Sequence, residues 1–431
     1  MTRNRYVDLL RVLAIGGVVY GHWLLVSVVY RDGTLSGADA VDYIAWGRWV
    51  TWAFQVMPVF FLVGGYVNSL SWEARRARGQ NWTWWVRERA VRLLWPTAVY
   101  VLFALVAVSF ARLAGVPGPE LAEAAWLAAL HLWFLPVYLL VIALTPVMFE
   151  AHTRWGLAVP LVMAACSGLV DLLMLGEHVR LLGYANYLLV WGSIHQWGFA
   201  WRDGRLTSPR WRLWAMSGAG AALLAGFVTS RAFQVDMVGS GNTNPPSIAL
   251  LAFAAAQTGL VIAAEPWFSR VLARPERWRP VQRLNSLVMN VYLWHFVPVL
   301  VVALAFYTTG VLPQPGIGSS EWFAFRLVWF ALLTAVFVPF VTLVTWAEQP
   351  MRRLPAGQGR PGSWSPALLV LGLLAAAVGL GRLAVDGFAP DGRWPTTALA
   401  GFVFGLAAIV FAGRTPGEDA PLAEGATRQE A

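Results

Sequence analysis

The chain has 431 residues, 58% hydrophobic and 13% charged, and its net charge of +9 comes from Arg alone, because none of the 32 basic residues is Lys. That composition is far too apolar for a soluble domain of this length. Apolar runs of about twenty residues recur from end to end, so the expected fold is an all-α polytopic membrane protein. The positive charge lies between those runs, where it sets topology and meets anionic lipid, and it does not read as nucleic-acid binding.

Twelve spans fit the hydropathy, at residues 8–30, 49–70, 94–114, 125–149, 156–175, 184–201, 213–229, 247–265, 285–309, 322–346, 365–383 and 397–413. Arg3 and Arg5 precede the first without a small-residue cleavage site, so it reads as a retained span. That span, Leu9–Tyr30, holds Arg11 and His22. On a helix, residues eleven positions apart lie about 16 Å apart and nearly on one face. A cation and an imidazole inside a span mark a site facing the bundle interior or a wet cavity. The bland alternative is an Arg that snorkels to the headgroups and a packing His.

Arg residues crowd alternate loops. Arg75, Arg76, Arg78, Arg87, Arg89 and Arg92 follow span two, and Arg202, Arg205, Arg210 and Arg212 follow span six. Arg270, Arg274, Arg277, Arg279 and Arg283 follow span eight, and Arg352, Arg353 and Arg360 follow span ten. The opposite loops carry acids such as Asp32, Asp39 and Asp42. The positive-inside rule then places both termini in the cytoplasm, with the chain multi-pass in the inner (plasma) membrane. The expected organisation is a ten-span core at 1–354, a Gly/Pro-rich linker at 355–366, an accessory hairpin at 367–413 and a polar disordered tail at 414–431. Neither hairpin core holds a residue that looks catalytic.

The chemistry-bearing residues are few. His22 and His295 lie in spans one and nine, His131 opens span four, and His195 lies in span six. A neutral imidazole accepts a proton near pH 7, so an intramembrane His is a credible general base. His152 and His178 are read as solvated loop residues, and the single Cys, Cys166, as a small buried hydrophobe. No HExxH, GxSxG or P-loop pattern occurs, which leaves no metal site and no Ser or Cys nucleophile in view. Arg89 and Arg92 share a helical face at the start of span three, and guanidinium groups match phosphate bidentately. The alternative for such Arg is topology and lipid contact alone. The Pro58, Gly64 and Gly65 of MPVFFLVGGY favour a kink and close helix packing. Glu348 is read either as an ion-pair partner of Arg352 and Arg353 or as functional. Trp82, Trp84 and Trp85 suit interfacial anchoring, with stacking on sugars as the lesser reading.

Together these segments resemble the membrane acyltransferase-3 family over roughly residues 5–354. YVDLLRVLAIGGVVYGHW resembles the family's opening, with its Arg and His at Arg11 and His22. MPVFFLVGGYV resembles the second-span signature, and RERAVRLLWP the Arg-x-x-Arg element at Arg89 and Arg92 with Pro96. LWFLPVYLLVIALTP, NVYLWHFVPV and AEQPMRR resemble the Trp-Phe-Leu span, the Tyr-Leu-x-His span and the terminal Glu-x-Pro. The resemblance implies a ten-span acyltransferase core with an acyl-CoA donor, acetyl-CoA foremost, reached from the cytoplasm. Arg11, Arg89 and Arg92 would hold its phosphates, His22 would act as base or acyl relay, and His295 as a second member. The acceptor would be a hydroxyl of an envelope glycan, lipid or secondary metabolite. Other readings are a secondary transporter of a small polar or anionic solute, for which no internal repeat is found, and an exporter partner without chemistry.

Overall fold

The computed structural model describes residues 4–31, 34–174, 180–238, 240–348 and 365–412. Helix α1 (Arg5–Leu25) begins where the Asn4 side chain accepts hydrogen bonds from the Tyr6 and Val7 amides, the usual capping chemistry. It stops before the β-branched run VSVVY. Strand β1 (Val26–Arg31) pairs antiparallel with β2 (Thr34–Asp39), Val26 opposite Asp39. The expected first span at 8–30 is therefore shorter, and its last turn is a strand. Valines and Tyr at alternating positions prefer the pleated ribbon to a helix end.

Two short helices, α2 (Ala40–Tyr43) and α3 (Gly47–Phe54), lead into α4 (Met57–Arg76) and α5 (Trp82–Leu113). Next come α6 (Gly118–Ala129), α7 (Phe134–Trp155), α8 (Ala158–Met174), α9 (Ala185–Arg202), α10 (Trp211–Thr229) and α11 (Ser240–Thr243). The chain continues through α12 (Ile248–Ala263), α13 (Glu265–Val271), α14 (Pro275–Trp294), α15 (Val297–Val302) and α16 (Ser320–Ala347), and closes with α17 (Ser365–Asp386) and α18 (Thr396–Phe411).

By length and composition, six helical stretches can cross a membrane, or eight if two bent pairs each count as one span; α8 and α18 are shorter apolar helices. The two bends, of 45° between α12 and α13 and 50° between α14 and α15, break what hydropathy reads as continuous spans. Among the expected spans, α9 and α10 reach spanning length without passing for apolar. The reason is clearest in α9, which is buried from Val190 to Trp201 with Ser193, His195 and Gln196 facing protein. Lipid instead meets the large apolar side chains of α5, α8 and α16, such as Leu102, Phe110, Leu161, Leu172, Leu327 and Leu343.

Close helix crossings set the centre. A Cβ on Gly65 of α4 would stand 1.9 Å from the His195 carbonyl oxygen of α9, and one on Gly198 2.2 Å from the Leu62 carbonyl oxygen. These glycines let two backbones touch, as the sequence suggested for the VGGY segment. The α17–α18 hairpin docks on the core through Arg87 of α5, whose Nε and Nη2 donate to the Ile409 and Val410 carbonyls at 3.0 and 2.9 Å. A guanidinium there satisfies carbonyls that a helix end leaves without donors. Phe388, just past α17, packs its ring on Tyr100.

Three expectations are corrected. Cys166 is exposed rather than buried, because α8 lies at the periphery. His152 is buried at the end of α7 and bonds Asp203 at 2.8 Å, because the α9 terminus folds over it. Trp85 is buried against Trp72, its indole donating to Ser71, so it packs helices instead of anchoring in headgroups. His178, Arg352, Arg353, Arg360 and the 414–431 tail lie outside the described residues.

Candidate functional site

The site begins with two helix irregularities. The turn His295–Phe296 separates α14 from α15, and Pro298 one turn later has no N–H to give the Trp294 carbonyl. The Trp23 indole of α1 donates to the His295 carbonyl at 2.8 Å. His131 sits in the 3₁₀ stretch Leu130–Trp133 between α6 and α7, ahead of Pro136, which likewise cannot serve Leu132. The Tyr292 hydroxyl donates to the His131 carbonyl, and the Tyr100 hydroxyl to the Ala128 carbonyl at 2.7 Å.

Three imidazoles meet here. His22 Nδ1 lies 2.8 Å from His295 Nε2 with the rings stacked, their planes 8° apart. The His131 ring stands edge-on to His295, centroids 5.0 Å apart. His131 and His295 are fully enclosed, whereas His22 is only partly buried. Hydrogen bonding fixes the tautomers. His295 Nδ1 lies 2.6 Å from the Tyr292 carbonyl oxygen, which can only accept, so Nδ1 carries the proton. In neutral His295, Nε2 is then a lone pair and must accept from His22 Nδ1–H. The chain of donors ends with a lone pair on His22 Nε2. The geometry thus presents one free imidazole base at the partly open ring.

Segments far apart in sequence converge on this point. Phe134 stacks with Tyr138 at 5.1 Å and meets Tyr292 edge-on at 5.6 Å, while Phe60 and Phe61 of α4 cover both. A family model described as an acyltransferase domain matches residues 4–347. The chain belongs to the acyltransferase-3 family. No curated protein and no solved structure matches the chain. Membership implies a membrane acyltransferase, and the matched region takes in every element of the three-histidine cluster.

The acyltransferase-3 motifs at the other end of α1 separate into two kinds of Arg. Arg11 and Arg89 are partly buried, and Arg89 feels the charges of Arg11, Arg92 and Glu88 and lies near Tyr138. Arg89 also stacks 5.5 Å over Trp85. Neither Arg11 nor Arg89 forms an ion pair with a described carboxylate. Arg92 differs: it is exposed and bound to Glu88 one turn away on the same helix. Tyr138, beside Arg89, joins through Phe134 and Tyr292 to the histidines, so a chain of packed rings connects the cations to the imidazoles.

Sequence reading proposed His22, His295, Arg11, Arg89 and Arg92 and named His131; the structure brings the three histidines together, and it adds Tyr292, whose carbonyl orients the His295 ring, and Trp23, whose indole holds the His295 backbone. Only the Tyr-Leu-x-His wording of the ninth span hinted at Tyr292. His195 stays apart from the cluster: Asn68 donates to its Nε2 at 3.2 Å, and its ring packs on Phe199. Glu348 accepts from Asn290, which also reaches Thr345, each at 3.0 Å. Among the described residues no three His, Cys, Asp or Glu side chains stand where they could hold a metal ion.

The cluster at the end of α9 is electrostatically tight. Burial pushes the Asp203 carboxyl up, but hydrogen bonds from His152 and the Arg205 amide, with both their charges, outweigh it and hold Asp203 below its ordinary range. Arg205 Nε lies 3.1 Å from the same carboxylate oxygen as His152 Nε2. This arrangement ties α7 to α9 and reads as structural.

Proposed function

We propose that this protein moves an acetyl or other short acyl group from acyl-CoA to a hydroxyl of a glycan, lipid or metabolite. The observation that carries the reading is the His22–His295 pair, bonded at 2.8 Å and anchored on the Tyr292 carbonyl. His22 Nε2 takes the proton of the acceptor hydroxyl as its oxygen attacks the thioester carbonyl. The C–S bond breaks, and the CoA thiolate leaves with the proton returned from the imidazolium. His295 accepts from His22 Nδ1–H throughout, so the ring keeps its orientation and the developing positive charge keeps a hydrogen-bond partner. Arg11 and Arg89 supply positive charge for the CoA phosphates at the end that faces the cytoplasm in this reading. The packed rings of Tyr138, Phe134 and Tyr292 join that end to the imidazoles, so in this reading they part to admit the pantetheine arm.

The test is His22→Ala in liposomes supplied with acetyl-CoA. Losing a general base is expected to slow CoA release by about 10²–10⁴-fold. Undiminished release, or uptake of a solute without any acyl donor, would refute the assignment.

A further inference from the structure

At the far end of α1 from Arg11, a cavity of about 280 Å³ opens between the β1 strand, the loop that leads into α16, and the first turns of α16. Ser27, Tyr30, Tyr307, Gln314, Trp322 and Arg326 are among its lining residues. Arg326 is 7% exposed. Its guanidinium carbon lies 4.1 Å over the Trp322 ring, Nη2 donates to the Ser27 hydroxyl, and Nη1 reaches the Trp23 carbonyl at 3.4 Å. Its Nε has no acceptor, and no described carboxylate lies within ion-pair distance of it. A buried cation without a counter-ion is costly, and in membrane proteins such a charge usually marks a ligand or ion path.

We propose that this cavity binds an oxyanion carried on a sugar-sized group, with Arg326 as its charge partner. Resting on the transfer reading above, the group is part of the acceptor. Tyr307 and Trp322 wall the cavity but already stack on Trp329 and Arg326, so the partly exposed Tyr30 ring offers the face for a pyranose, and the Gln314 amide NH2 and Ser27 hydroxyl supply polar edges. Carboxylate and phosphate share the chemistry that a guanidinium recognises. The site also adjoins the dyad: Trp23, whose carbonyl Arg326 approaches, follows His22 in sequence and donates its indole to His295. Seated there, the acceptor would present its hydroxyl from the side of the bundle opposite to the donor cations.

The experiment is saturation-transfer NMR on the full chain in nanodiscs, with glucose, glucuronate and glucose 6-phosphate as probes. At least one of the two anions is expected to bind about tenfold or more tighter than glucose, as one charge-assisted hydrogen bond requires. Which anion is preferred separates a carboxylate site from a phosphate site. Arg326→Gln should abolish the preference, and Arg326→Lys should keep part of it. Equal binding of all three, no binding of any, or an undiminished preference in Arg326→Gln overturns the proposal. Where Arg326→Gln does not fold, the three-ligand comparison on the native chain decides alone. Binding needs no turnover, so this result stands apart from the fate of the His22→Ala transfer assay.

Discussion

Replacing His295 by Leu tests the dyad without touching the proposed base. The substitution keeps an apolar side chain of moderate size against Phe296 and His131 but removes the acceptor of His22 Nδ1–H. A hydrogen bond to a charged group, here the imidazolium that forms as the acceptor gives up its proton, is worth about 1.5–3 kcal/mol. At 1.36 kcal/mol per decade, kcat should fall by about ten- to a hundredfold. Loss of tautomer control enlarges this, as the roughly 10⁴-fold penalty for a mis-set histidine in the Ser-His-Asp template indicates. KM for acetyl-CoA should stay put, because Arg11, at the other end of α1, and Arg89 of α5 are untouched. The assay is CoA thiol release in liposomes, in a Cys166→Ser background because Cys166 is exposed and would consume thiol reagent. His295→Gln, whose amide oxygen restores an acceptor, should recover part of the rate. The double variant with His22→Ala should be no slower than His22→Ala alone, since residues acting as one unit are not additive. An unchanged kcat in His295→Leu, or losses that multiply in the double variant, refutes the reasoning.

Arg11→Gln and Arg89→Gln should each raise KM for acetyl-CoA by about tenfold or more with little change in kcat, as loss of uniform binding does. Arg92→Gln should do far less, because that side chain is exposed and paired with Glu88; steady-state kinetics that rank Arg92 first would contradict the division. Asp203 has a depressed folded-state pKa, so the stability it contributes is full above its unfolded value of 3.8 and is lost as pH falls through the lower folded value. Thermal melts of Asp203→Asn should therefore show a smaller acid-side decline than the native chain, and parallel pH profiles would argue against the His152–Asp203 tie. Gly65→Ala should abolish the monodisperse peak in size-exclusion chromatography, since its Cβ would stand 1.9 Å from a backbone oxygen. Gly16→Ala, with nothing within 4 Å, should leave that peak unchanged.

Much of the architecture was legible because a bilayer imposes one rule on every segment: backbone groups must be satisfied locally and side chains facing lipid must be apolar. The long apolar runs follow from it, while the Arg-rich alternate loops follow the separate bias of positive charge to one side of a membrane. The failures have equally definite causes. The VSVVY run satisfied hydropathy, yet its β-branched side chains made a strand. Residues 184–201 read as a span, yet α9 is not apolar enough to pass as one because its neighbours are protein, and Cys166 looked buried because a mid-helix position says nothing of which face meets lipid.

The sequence by itself determined that the chain is helical and membrane-embedded, that its Arg residues crowd alternate loops, and that four of the expected spans carry an imidazole. Those properties are local, fixed by residue type and by a periodicity of a few positions. Only the tertiary structure decided that His22 and His295, 273 positions apart, share a hydrogen bond, that the Tyr292 carbonyl sets its direction, and that Arg326 lines a cavity and reaches the Trp23 carbonyl beside the pair. Such contacts arise where α1, α14 and α16 meet, and no periodicity within a single span encodes which faces of three separate helices will come together.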